Sequence, residues 1–138
     1  MLRKDYIQRQ FEEFGKALAN ILSLKRNNSW EEFEKEIARA ARKFTLLEIN
    51  YVEDLSEDDF KNELVNNPNL QHDQQKMLAS LLFEKMNYYL ERNEIKNYLN
   101  VRSRCLSLYL HLQDNFTQNE FDLEVYYRIG LLRKDHTT

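Results

Sequence analysis

Three histidines, one cysteine and several carboxylate clusters are the side chains with which this 138-residue chain could do acid–base, nucleophilic or metal chemistry. His72, His111 and His136 fall in three different segments. No His-x3-His or Glu-x-x-His pair puts two ligands on one helix face, the spacing that helical zinc and di-iron sites need. His111 follows Cys105 by six residues, which does not place them on adjacent helical turns. Cys105 stands in an apolar helical stretch with no cysteine-nucleophile signature around it, so it is expected to be a small core residue. The run Glu53-Asp54-Leu55-Ser56-Glu57-Asp58-Asp59 has five carboxylates in seven residues. A calcium loop would need a glycine at its bend, where Asp59 stands. Ser56 capping a helix, with acids favoured by the dipole in its first turn, accounts for the run. Glu31, Glu32, Glu34 and Glu36 make a solvated helix face. These readings assign no catalytic residue, no cofactor and no metal, and the chain is expected not to be an enzyme.

Two further groups bear on binding. Tyr88, Tyr89, Tyr98, Tyr109, Tyr126 and Tyr127 crowd the second half. A tyrosine has an apolar body and a polar tip, which suits the shoulder of a helical core and, as the lesser reading, a binding groove. Arg102-Ser103-Arg104 would be the contact of a nucleic-acid-associated regulator, but the charge opposes it. The net charge is -3, with 11 basic and 14 acidic residues through Asn69 and 9 of each after it. Neither part is a basic footprint, so no nucleic-acid partner is expected.

The elements that position these groups are helical. Two glycines and one proline leave almost nothing for hairpin turns or phosphate-cradling loops, which excludes β-sandwich, Rossmann and P-loop designs. Ile7, Phe11, Phe14, Leu18 and Ile21 recur at spacings of four, three, four and three residues, one stripe on a helix over about Lys4–Lys25. The stripe suits either packing on the next helix or a short coiled-coil seam. Gly15 within it would permit close approach of another backbone. Asn27-Asn28 ends that helix, and Ser29-Trp30-Glu31-Glu32 reads as a capping box opening the second. The stretch from Leu46 to Val52 either extends that helix or forms a short one. A third helix runs from Ser56 to about Val65, and the Pro68 loop breaks the chain. Helices over about Asp73–Arg92 and Glu94–Gln113 are joined so tightly that they must be antiparallel. The latter is apolar on two sides, which predicts that it is sandwiched. Thr117-Gln118-Asn119-Glu120 reads as a capping box for a last helix. The expectation is one all-α domain over 1–138, of about six helices, divisible into 1–66 and 70–135.

Asp5-Tyr6-Ile7-Gln8-Arg9, followed by Phe14-Gly15-Lys16-Ala17-Leu18-Ala19-Asn20-Ile21-Leu22, resembles the opening of a small bacterial all-helical family, a domain of unknown function. The stretch from Leu78 to Leu112 is similar to its tetratricopeptide-like hairpin. The resemblance implies an all-α fold of bacterial origin, an N-terminal hairpin followed by a tetratricopeptide-like bundle, and no activity. The turn glycine and closing proline of that motif are missing, so at most one degenerate unit is present.

No apolar run approaches the roughly 20 residues of a membrane span and no signal-peptide core follows Met1, so no membrane partner and a cytoplasmic location are expected. The role expected is interaction: a scaffold, adaptor or regulatory subunit that binds a protein, a peptide or a second copy of itself. Ile7, Phe11, Phe14 and Leu18 are the candidate surface. An enzyme or small-ligand binder with an unfamiliar helical site is the alternative.

Overall fold

A chain with two glycines must find other residues for the left-handed conformation that ends a helix. The structure, a computed structural model that describes residues 2–115 and 122–134 (side chains from residue 5), uses asparagine twice. Helix α1 (Leu2–Arg26) ends at Asn28 with φ 56°, and helix α5 (His72–Glu91) ends at Asn93 with φ 59°. At each turn the same pair of backbone hydrogen bonds closes the helix end. Asn28 N donates to Lys25 O and Ser29 N to Leu24 O; Asn93 N donates to Leu90 O and Glu94 N to Tyr89 O. Both turns take three residues, and each sends the next helix back along its predecessor.

The described residues hold seven α-helices, and the chain divides into two compact units, Met1–Asp54 and Leu55–Thr138. In the first unit α1 packs antiparallel on α2 (Trp30–Thr45), followed by a short separate helix α3 (Ile49–Asp54). Phe14, Ile21, Phe33, Ile37, Ala41 and Phe44 form its interior. The ring of Phe14 meets that of Phe44 edge-on at 5.3 Å, and Lys43 Nζ lies 3.7 Å from Glu13 Oε2 beside it. Since α2 ends one residue after Phe44, the first turns of α1, with Ile7, run on past it.

Two local expectations fail here. Ser29 stands at the N-cap of α2 but makes no side-chain cap bond. Its ψ of 67° belongs to the tight turn, whereas Ser56, at ψ 164°, has the extended backbone that lets a hydroxyl accept from the third residue on. Gly15 is exposed, and apart from its chain neighbours and the local backbone of its own helix no described atom comes within 4 Å of a Cβ built on it, so close approach of another described backbone does not explain it.

In the second unit Ser56 Oγ accepts from Asp59 N at 3.1 Å and opens α4 (Glu57–Phe60). The helix then widens into one π-helical turn, Lys61–Val65. The turn leaves carbonyls unpaired, and buried Gln75 of α5 supplies the donor: its Nε2 reaches Leu64 O at 3.0 Å and Val65 O at 3.1 Å. This bond, with the burial of Phe60, Leu64 and Val65, puts the segment in the same unit as α5. The division therefore falls at Asp54–Leu55, before the Pro68 loop where composition suggested it.

Helix α6 (Ile95–Asp114) runs antiparallel to α5, and α7 (Leu123–Arg133) packs on α6. The buried face of α6 carries Tyr98, Val101, Cys105, Leu108, Tyr109 and Leu112. Ile95 and Leu99 stay exposed, so the sandwich is incomplete: α7 reaches the level of Arg102 and stops. Helix α7 is capped by Asp122, whose Oδ1 accepts from Glu124 N at 3.0 Å and Val125 N at 3.3 Å. The capping box read at Thr117 lies outside the described residues.

Candidate functional site

Arg128, the central polar residue on the inner side of α7, ties its unit together. Its Nη1 donates to Tyr109 Oη at 2.7 Å and to Ser80 Oγ at 3.2 Å, and lies 3.2 Å from Glu124 Oε1. Its guanidinium sits 4.4 Å from the centroid of the Phe83 ring. One side chain thus joins α5, α6 and α7. Burial disfavours the arginine's charge, but Tyr109, Glu124 and Glu84 outweigh it and hold the group firmly protonated. Burial pushes the Tyr109 hydroxyl up, with buried Cys105 adding to the shift, against the lowering effect of Arg128. Burial likewise pushes the Cys105 thiol up, and its Sγ lies 3.5 Å from Ala79 O. A thiol held protonated in this setting is a packing element, not a thiolate nucleophile.

The ends of α7 are tied as well. Asp122 is salt-bridged to Lys76 of α5. Partial burial works to raise its carboxyl, but Lys76 and the N–H groups of Val125 and Glu124 prevail and hold it below the usual carboxylate range. At the other end Arg102 Nε donates to Leu132 O at 3.0 Å and its Nη2 to Lys134 O at 2.5 Å. Arg102, read in sequence as half of a basic pair for nucleic acid, is thus bonded to the last carbonyls of a helix. His72 and His111 lie on different helices, and His136 is outside the described residues. Among the described residues no three His, Cys, Asp or Glu side chains form a ligand group.

With Val125, Arg128, Ile129 and Leu132 turned inward, the outward side of α7 carries Leu123, Tyr126, Tyr127 and Gly130, followed by Arg133 and Lys134. Leu123 is 71% exposed, Tyr126 61% and Tyr127 66%. A groove of ≈ 400 Å³ runs along this face, lined by Gln113 of α6 and by Tyr126, Tyr127, Gly130, Arg133 and Lys134. Apart from its chain neighbours and the local backbone of its own helix, no described atom lies within 4 Å of a Cβ built at Gly130. A glycine in mid-helix costs about 1 kcal/mol against alanine, and nothing described in this chain accounts for that cost. A helix apolar on both sides normally has neighbours on both sides.

The residues singled out in sequence sit otherwise. Phe14, 5% exposed, belongs to the interior of the α1–α2 hairpin rather than to a free face. Ile7, Phe11 and Leu18 are half-buried along the same helix. Of the six tyrosines of the second half, Tyr88, Tyr98 and Tyr109 are core residues, while Tyr126 and Tyr127 are on the surface. Sequence reasoning counted Leu123 among the apolar residues of the last helix without assigning it to a surface, and passed over Gly130. The signal was present: an apolar, glycine-bearing face opposite Val125, Ile129 and Leu132 on one short helix.

No helix among the described residues is long and apolar enough to cross a membrane. No family model matches the chain, and neither a curated protein nor a solved structure does.

Proposed function

We propose that the chain is a helical protein–protein interaction module whose docking surface is the outward face of α7. The observation that carries this reading is the contiguous exposure of Leu123, Tyr126 and Tyr127 on a helix whose opposite side is already buried. Tyrosine is a favoured anchor at such surfaces, because it buries a large rigid ring with little loss of conformational freedom. The Arg128 network and the bonded ends of α7 hold that face on a fixed frame, which lowers the ordering cost of binding. Binding buries the apolar side chains, and Arg133 and Lys134 at one end set direction. We read the antiparallel α5–α6 pair with α7 packed on it as a single tetratricopeptide-like unit followed by a third helix. The three-residue turn at Asn93 and the antiparallel packing support this.

The test is affinity purification of the tagged full chain at low salt, with native mass read on the same sample. A stoichiometric companion, another protein or a second copy, is expected with the natural sequence and lost with Tyr127→Glu. Recovery of the same species in the same amounts from both, or of a lone monomer from the natural sequence, defeats the reading.

A further inference from the structure

We infer that the outward face of α7 pairs with the same face of a second copy of this chain, antiparallel, around a two-fold axis between Tyr126 and Tyr127. The inference rests on the reading of α7 as a docking face and names its occupant. Three features of the helix carry it. The face holds a projection and a gap of matching kind: exposed Leu123 and side-chain-free Gly130, seven residues and so about two turns apart on one line of the helix. The midpoint between them falls between the two exposed tyrosines. A two-fold axis there places each Leu123 over Gly130 of the partner subunit, so one crossing fills both gaps with both projections. Such self-complementarity is what an isologous interface requires.

Charge selects the antiparallel sense. The first turn of α7 carries Glu124, which is 48% exposed while its Oε1 lies 3.2 Å from Arg128 Nη1, and the C-terminal end carries exposed Arg133 and Lys134. Antiparallel pairing sets the acidic end against the basic end and opposes the helix dipoles, whereas parallel pairing would bring like ends together. Gly130 then has a reason that the chain alone does not supply, namely room for the partner's leucine. A crossing by one 11-residue helix stays below the roughly 1,000 Å² typical of stable interfaces. The association is therefore a concentration-dependent equilibrium, not a permanent dimer.

The test is the mass of the purified full chain, read by sedimentation equilibrium over rising concentration. The natural sequence is expected to move from 16.8 kDa toward twice that mass. Gly130→Leu fills the gap and should stay monomeric at concentrations where the natural chain is dimeric, with an unchanged or raised Tm because the site is open. Leu123→Ala removes the projection and should weaken association at least tenfold. Mixing the two variants restores both fits, since the leucine at position 130 of one meets the alanine at 123 of the other, and the mixture should dimerise again. A natural chain that stays monomeric throughout overturns the inference, as does a dimer unaffected by Gly130→Leu. Failure of the mixture to recover overturns the register and with it the inference. A monomer that still retains a different protein, lost with Tyr127→Glu, would refute the second copy as occupant while leaving the docking face standing.

Discussion

Asp122 serves α7 twice, as N-cap through Oδ1 and as ion-pair partner of Lys76. Its folded pKa lies below the ordinary value of 3.8. The stability it contributes is therefore fully present above that value and lost as pH falls through the lower, folded one. Asp122→Asn keeps a capping oxygen and loses the charge, so it should cost about 1 kcal/mol near neutral pH. The cost should shrink as pH falls below 3.8 and through the lower, folded pKa, where the natural side chain is itself protonated; urea midpoints followed down this acid range check it. Leu46 presents the opposite situation, a residue whose conformation works against the fold. It follows α2 at φ 62° and is 80% exposed. A left-handed residue with a Cβ costs roughly 1–2 kcal/mol, so Leu46→Gly should raise stability by up to about 1 kcal/mol after the glycine's own chain entropy is counted. A fall in Tm would show that the exposed leucine has a contact worth more than its strain.

Gln75 decides how the α4 segment ends. A five-residue π-helical turn displaces the regular ladder, and the carbonyls of Leu64 and Val65 find their donor in a side chain ten and eleven residues further on. Gln75→Leu leaves both carbonyls buried without it and should cost about 1–3 kcal/mol, with faster amide exchange over the α4 and π-turn residues as the local signature. Much at this scale was legible in the residues. The apolar periodicity of α1, α2, α5 and α6, the asparagine turns and the Pro68 break each depend on near neighbours alone, and the structure shows all of them. Ser29 was misread for a physical reason. A capping box needs an extended residue, and the backbone there is bent by the turn that Asn28 makes. The π-helical turn has no local signal of its own, because its support comes from another helix.

In the larger unit, assembly of three helices converges on Arg128. Arg128→Met keeps much of the packing volume but leaves the buried Tyr109 hydroxyl and Ser80 without this partner, and should cost about 2–3 kcal/mol. Tyr109→Phe should cost about 1 kcal/mol. The double variant should lose less than the two single losses together, since both remove the same bond; a denaturation cycle measures the difference. Additive losses would mean that Arg128 acts through Ser80, Glu124 and Phe83 rather than through Tyr109.

Taken by itself, the order of residues determined the all-α class and both tight turns, and its count of about six helices lies within one of the seven α-helices that the described residues hold. Those follow from hydrophobic period and turn chemistry, which act over a few residues. Tertiary structure decided the rest. It placed Phe14 against Phe44, set Arg102 on the last carbonyls of α7, and brought Ser80, Tyr109 and Arg128 together across 19 and 48 residues of chain. It also decided which tyrosines are core and which are surface. All six have the same chemistry, and the packing of α7 on α6 separates Tyr109, sealed beside Arg128, from Tyr126 and Tyr127 on the surface. Periodicity reports that a helix has an apolar side, but the choice of which apolar side is covered belongs to contacts between elements distant in sequence.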